Sequence, residues 1–461
     1  MSEKLRHLTV PALLLACLLL GGSPQGVWRN LFLQLASLTV IAWALLAKRR
    51  SHPTSAGRLL LWLSELWFVL ILLQLIPLPP QVWSILPGRS PAVEGFTLRG
   101  ESLPWLPLSL APAATLSALP LMAVPLALIT AIIVLGAYRS RWTISALMIG
   151  TGLSVLLGAV QLSQGGPYLY ANYNVGTAPG LFANSNHQAT LLLATLPYLG
   201  ALIGLQLQKR SSHMVHQSAV AGRLVIVLGG VAVVVLGIIL NGSIAGLGLL
   251  LPIVLATLAV ALPAAGKAPK LLAALGLLLM VGALVIVASS TGAGSNATSV
   301  ATRADIYHIT LQAIRDTFPV GTGLGTFQAY YRLYEIPSLV DSFFVNHAHS
   351  DPLEWVLETG LPGLLLLGAF LLWWVTRAVR LWRDQQPDLV ALAATIASGA
   401  ILAHSVVDYP LRDAAIQAVF AVSLAFMAEP RSHAGGRRSR SAAQERAPRH
   451  VTLDDHGRIN G

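Results

Sequence analysis

Residues 224–262 read LVIVLGGVAVVVLGIILNGSIAGLGLLLPIVLATLAVAL, two apolar runs without a charged side chain and with only Asn241-Gly242-Ser243 between them. Each run approaches the roughly 20 residues with which an α-helix crosses a bilayer, so the pair reads as two consecutive membrane helices. The pattern recurs along the chain. Of 461 residues, 55% are hydrophobic and 11% charged, well below the roughly 25% charged of an ordinary soluble domain, which excludes a soluble globule. Lys and Arg number 30 against 19 Asp and Glu, yet they are scattered between apolar runs and form no stripe interleaved with aromatics. Nucleic acid is therefore not an expected partner. Cys17 is the single cysteine, so neither an intramolecular disulfide nor a cysteine-cluster metal site is available.

Apolar runs set against charged breaks give about twelve spans, centred on 10–20, 31–47, 59–77, 116–137, 142–162, 189–205, 224–240, 244–262, 271–288, 353–375, 389–407 and 416–428. The expected fold class is all-α: a polytopic membrane domain over 1–428 with a large loop at 289–351, then a disordered tail at 429–461. With the N-terminus inside, 23 Lys and Arg fall on inner segments and 7 on outer ones, the latter being Arg29, Arg89, Arg99, Arg303, Arg315, Arg332 and Arg412. That asymmetry predicts that both termini are cytoplasmic. Leu14-Leu15-Ala16-Cys17 loosely resembles a lipoprotein cleavage site, but Leu18–Leu20 extend the apolar run, so a retained helix is expected.

Three outer segments are long. The first, 78–112, carries Trp83 and Trp105 and is expected along the membrane interface. The second, 163–187, holds Asn172, Asn174, Asn184, Asn186 and His187. In the third, Ile306, Ile309 and Ile314 give residues 302–317 the pattern of an amphipathic helix on the membrane surface. Pro319–Gly325 then has glycine at every second position. No strand precedes it and no Lys-Ser/Thr pair follows, so a flexible turn is a better reading than a phosphate loop.

The third segment closes on Asn346-His347-Ala348-His349-Ser350-Asp351-Pro352-Leu353-Glu354, continuing through Glu358, Gly360 and Gly363. This HxHSxxLxxxxExGxxG pattern, after an arginine-headed helix and the turn Pro319–Phe327, resembles the O-antigen ligase/polymerase family of bacterial inner-membrane glycosyltransferases. The stretches 74–80 (QLIPLPP), 180–186 (GLFANSN) and 404–412 (HSVVDYPLR) are similar to that family as well. The resemblance implies a GT-C-like helical fold with a large periplasmic loop. It implies transfer of a glycan from a polyprenyl-diphosphate carrier to a hydroxyl on lipid A core, another glycan or a protein, with no metal or other cofactor. By motif, the family's essential histidine falls on His349 and its loop arginine on Arg303. Many relatives carry Ser-Arg-small-Gly where this chain has Ser243-Ile244-Ala245-Gly246, so Ile244 stands in the place of an arginine that holds the diphosphate.

Transfer from a diphosphate carrier needs a cation for the departing phosphates and a base for the acceptor proton. Arginine, with its fixed charged fork, suits the first, and histidine, titrating near neutrality, suits the second. His349 and His347 are the candidate catalytic residues. Arg303, Arg315 and Arg332 are expected in one basic cluster beside them, Arg332 or Arg315 replacing the cation missing at Ile244. Glu354, four residues before Glu358 on one helical face, completes the substrate-site candidates, either by orienting a histidine or by favouring a helix N-terminus. Plainer alternatives stand beside these: loop histidines bonded to backbone, an Asp408–Arg412 pair pinning a turn near Pro410, and helix capping by Asn184 and Asn186.

A transporter of a small anion such as bicarbonate is the alternative function, since twelve spans fit it equally well. Transport sites favour buried charge at mid-membrane on broken helices. Here the charges gather outside the spans.

Overall fold

The computed structural model describes residues 3–24, 26–47, 52–170, 177–211, 217–262, 268–289, 297–335 and 345–430. The tail from 431 onward, Lys48, Arg49, Arg50, Asn172, Asn174 and Lys267 lie outside the described residues. In chain order, α1 (Glu3–Leu20), α2 (Val27–Leu46) and α3 (Ser55–Leu73) lead into a non-spanning segment with β1 (Pro77–Leu78), α4 (Pro80–Trp83), α5 (Ser90–Leu98) and β2 (Leu106–Pro107). β1 and β2 pair antiparallel, Pro77 opposite Pro107. There follow α6 (Pro112–Ala118), a 3-10 turn at Leu119–Met122, α7 (Ala123–Ile133), α8 (Ser140–Gln164), α9 (Ser185–Ser211), α10 (Gln217–Asn241), α11 (Ile244–Ala261) and α12 (Ala268–Ser289). The chain continues with α13 (Ala297–Thr317), α14 (Phe327–Tyr331), α15 (Asp351–Arg383), α16 (Leu389–Ser405), a 3-10 turn at Pro410–Arg412 and α17 (Ala414–Ala428).

The protein is an all-α, multi-pass membrane protein. Among the described residues eight helices are long and apolar enough to cross a membrane, and the shorter apolar helices at 6–20, 271–283, 389–405 and 414–428 fall on the other expected spans. The run expected at 116–137 begins earlier and is not one regular helix: α6, the 3-10 turn and α7 follow one another, with Pro120 inside the turn.

Burial sorts the helices. α9, α16 and α17 form the centre, α17 being buried at almost every position from Ala414 to Ala428. They are rich in Ala, Gly, Ser and Thr, which let backbones approach where lipid gives no hydrophobic drive to association. Buried hydroxyls join neighbours across this centre, Tyr198 to Ser423 at 2.8 Å and Thr151 to Thr195 at 3.0 Å. Peripheral helices do the reverse: α2 and α10 turn large side chains such as Leu45, Leu46, Val225 and Ile226 outward.

α15 is broken. Gly360 takes φ +59 and ψ −149, separating 351–359 from 361–383. Pro362 has no N–H to offer the Glu358 carbonyl, so the helix loses a rung there. The turn at 319–323 repairs the loss: Thr322 N donates to Leu357 O (2.9 Å), Gly323 N to Glu358 O (2.9 Å), and Leu361 N to Pro319 O (2.8 Å). A Cβ on Gly321 would lie 2.7 Å from Gly360 N, and one on Gly360 2.2 Å from Pro319 O, so two glycines allow the close approach. Gln74 adds a third strand of support, donating from Nε2 to Glu358 O (3.0 Å) and accepting from Leu324 N (2.9 Å). The glycine-rich stretch is thus a docked turn rather than a flexible one, with its amides committed to protein carbonyls.

Two further expectations change. The apolar face of α13 packs on protein, Ile306, Ile309 and Ala313 meeting Phe327, Tyr330, Tyr331 and Leu357, rather than lying on a membrane surface. Trp83 is buried, its Nε1 donating to Pro104 O at 2.8 Å, so it organises the 78–112 segment from within; Trp105 remains exposed.

Candidate active site

The turns after α1, α3, α8, α10 and α16 meet at one end of the bundle, Gly21 O accepting from Ala415 N, Gln74 Nε2 donating to Glu358 O, and Asn241 Nδ2 donating to Ala178 O. There the N-termini of α9, α15 and α17, the C-terminal end of α16, and α13 bring polar side chains together. Asp351, Glu354 and Glu358 share one face of the short first arm of α15, three and four residues apart. All three point at Arg412, which lies 3.4 Å from Asp351 Oδ1, 3.2 Å from Glu354 Oε1 and 3.4 Å from Glu358 Oε2. The Asp408–Arg412 pair suggested by spacing does not form: α16 ends at Ser405, before Asp408, and the two side chains face different partners.

Glu354 orients a histidine, and that histidine is His347: Nδ1 sits 2.9 Å from Glu354 Oε1. The other carboxylate oxygen accepts from Ala348 N at 2.9 Å. Glu354 is 1% exposed, so it positions its neighbours rather than facing open space. His349 has the other geometry. It is the one non-glycine residue at positive φ among the described residues (φ +50), a backbone state that costs energy and needs support. Tyr307 Oη supplies it by donating to the His349 carbonyl at 2.8 Å. The His349 side chain is 24% exposed, with Nδ1 3.4 Å from Oδ1 of the buried Asp408. Nε2 is left on the open side of the ring.

Arg303 is at this same point, its Nη1 donating to Val407 O at 3.3 Å. Burial alone would raise the Asp408 carboxyl, but His349, His187 and Arg303 around it hold it well below the usual carboxylate range. Burial alone would likewise lower the Arg412 guanidinium, and Glu354, Glu358 and Asp351 keep it above its ordinary value. Arg315 and Arg332 are elsewhere. Arg315 follows Arg303 by twelve residues, roughly 18 Å along a helix rising 1.5 Å per residue, and Arg332 caps α14; both are exposed. The structure does not join either to the histidines, so the expected three-arginine cluster reduces to Arg303.

Sequence reasoning missed the centre of the site. Tyr409, 8% exposed, is ringed by three imidazoles, His347, His187 and His349, at centroid distances of 4.4, 4.9 and 5.0 Å. Asn346 Nδ2 donates to its hydroxyl at 3.3 Å. His187 forms its own buried pair, Nδ1 to Asp413 Oδ2 at 2.6 Å, and His404 Nδ1 meets Thr190 Oγ at 2.8 Å. Arg29 lies over the Tyr170 ring, 5.2 Å from its centroid, a second arginine on the side of α2. The available signal was the run His404–Asp413, whose polar residues are denser than a turn between two spans requires. Asn184 caps α9 as expected, its Oδ1 accepting from Asn186 N (2.9 Å), whereas Asn186 Oδ1 accepts from Ser243 Oγ (2.7 Å), beside the exposed Ile244.

Fold and site together define a polytopic membrane protein with a histidine, carboxylate and arginine cluster at one end of its bundle, equipped for acid–base chemistry on an anionic or hydroxyl-bearing ligand. Residues 182–368 match the family model described as O-antigen ligase. The matched stretch contains Arg303, His347, His349 and Glu354, while the His404–Asp413 run lies beyond it. No curated protein matches the chain.

Proposed function

We propose that the protein transfers a glycan from a polyprenyl-diphosphate carrier to a hydroxyl acceptor at the periplasmic face of a bacterial inner membrane, both termini lying in the cytoplasm and no metal taking part. The observation that carries this reading is the juxtaposition of an accessible His349, a buried ionised Asp408 and Arg303 at the membrane-boundary end of the bundle. His349 Nε2 takes the acceptor's proton as the acceptor oxygen forms its bond to the sugar C1. The bond from C1 to the phosphate oxygen breaks, and the diphosphate leaves with its charge met by Arg303. Asp408 faces Nδ1 and orients the imidazole. His347, fixed by Glu354, and Tyr409 shape the wall behind it. The acceptor class, lipid A core, glycan or protein, is the same hydroxyl chemistry in each case.

The charged side chains gather at one end of the helices rather than at mid-depth, which favours surface chemistry over the anion-transport alternative. The test is transfer in vitro from a polyprenyl-diphosphate glycan. Removing a general base commonly costs about 10²–10⁴-fold in rate, so His349→Ala should lose transfer on that scale while keeping wild-type detergent stability. A well-folded His349→Ala enzyme working at the wild-type rate ends the proposal.

A further inference from the structure

At the end of the bundle away from the histidine cluster, α1 and α8 begin side by side. Val10 N donates to the Ala137 carbonyl at 3.4 Å. Arg6 stands one turn before Val10 on the same face of α1, and so is turned toward the segment that carries Arg139 and Arg141. Lys4 is exposed in the same first turn. The carboxylate that meets these cations is Glu3, which divides itself between Arg6 Nη2 at 3.8 Å and His7 Nε2 at 3.9 Å and is itself 73% exposed. Among the described residues no carboxylate pairs with Arg139 or Arg141.

Two features of this corner call for an anion. Arg6 Nε and Nη1 are shut off from solvent and donate to nothing among the described residues, a costly state for a guanidinium. Arg139 and Arg141 are drawn to one ring, their guanidinium carbons 5.3 and 5.8 Å from the Trp142 centroid. Each gains a cation–π contact, yet two like charges about a single indole repel, and an anion between them relieves the repulsion. Indole rings favour the headgroup level of a bilayer, which sets the depth of the group. Beneath it, Arg141, Ser145, Ile149, Leu153, Leu156 and Val160 follow one another at three- and four-residue spacing and are all exposed. A single stripe of α8 therefore runs from the guanidinium level into lipid.

We propose that this surface binds an anionic phospholipid, with its phosphodiester between Arg6, Arg139 and Arg141 and its acyl chains along the α8 stripe. Arginine forks meet phosphate oxygens in pairs. A zwitterionic headgroup would bring an ammonium into a group of cations, so phosphatidylethanolamine is the poorer occupant, and a free phosphate makes no use of the stripe. The site stands at the far end of the bundle from the candidate active site, shares no residue with it, and does not rest on the proposed function.

The experiment is native mass spectrometry of the full-length protein in detergent, titrated with dioleoyl phosphatidylglycerol or dioleoyl phosphatidylethanolamine. A basic side chain near the headgroups is worth roughly fivefold in affinity for an anionic lipid, so phosphatidylglycerol should be retained well above phosphatidylethanolamine. Arg139→Gln combined with Arg141→Gln should cut its binding by roughly tenfold or more, whereas Arg223→Gln, at an exposed basic residue near the start of α10, should leave it unchanged. A second measurement needs no variant: phosphatidylglycerol bearing a diazirine in an acyl chain should label α8 between residues 145 and 156 of the wild-type protein. Equal retention of the two lipids, a double variant that folds and binds as wild type, labels absent from α8, or inorganic phosphate displacing the lipid at equal concentration would each overturn the assignment.

Discussion

Arg303 and Arg412 carry the same charge in one cluster and have opposite availability. Arg412 is enclosed by Asp351, Glu354 and Glu358, so its charge is fully committed to protein carboxylates. Arg303 has a single backbone carbonyl bonded through Nη1. Charge-assisted contacts contribute about 1.5–3 kcal/mol, so Arg303→Ala should reduce carrier-dependent transfer roughly ten- to a hundredfold, and Arg303→Lys should recover only part because the planar fork is lost. Steady-state transfer at varied carrier concentration checks both. Asp408 offers a second reading at this scale. Its carboxyl is held well below the usual range, so the stability it contributes is present above the unfolded value of about 3.9 and is lost only as pH falls toward the folded one. Across pH 5–8 it therefore stays ionised. Asp408→Asn removes that charge at nearly constant size, so the maximal transfer rate should fall while the detergent melting temperature stays near wild type. An unchanged rate would detach Asp408 from His349.

Among the elements, α15 and the turn that fills its break determine where the three carboxylates stand. Gly360→Ala places a Cβ 2.2 Å from the Pro319 carbonyl at a backbone angle of φ +59. Such strain costs about 1–3 kcal/mol, and displacing the turn would also release the Leu357 and Glu358 carbonyls. The expected result is a fall in the detergent melting temperature together with loss of transfer; a variant of wild-type stability would mean that the turn yields at no cost. The break was only half legible in the sequence. Pro362 announces an interrupted helix, and the alternating glycines announce a turn, but nothing local says that one repairs the other across forty residues. The same limit applies to the site. His349 and Arg303 carry recognisable motifs, whereas Tyr409 and the His187–Asp413 pair are assembled from segments more than two hundred residues apart, and pairing at that range leaves no period to read. Charge alone puts Arg315 and Arg332 beside the histidines; helix length carries Arg315 away, and Arg332 stands exposed at the end of α14.

For the whole molecule, twelve apolar runs found twelve helical positions because a backbone in lipid must satisfy its hydrogen bonds within the segment, which makes composition nearly sufficient. Orientation is a prediction of charge. With Cys17 replaced, Leu333→Cys, 67% exposed at the site end, should react with an impermeant thiol reagent on intact spheroplasts. Gln385→Cys, in the exposed turn between α15 and α16, should react only after the membrane is opened. The opposite pattern would invert the protein.

The broken helix has one more consequence. A continuous 33-residue helix would tilt as a single rod whenever the surrounding bilayer thinned or thickened, since hydrophobic mismatch is relieved largely by tilt. Here only the arm at 361–383 follows the lipid. The arm at 351–359, bearing Asp351, Glu354 and Glu358, is fastened to the 319–323 turn and to Gln74, and so takes its direction from protein. Lateral stress in the membrane is absorbed below the break, and the cluster above it keeps its angles in bilayers of differing thickness.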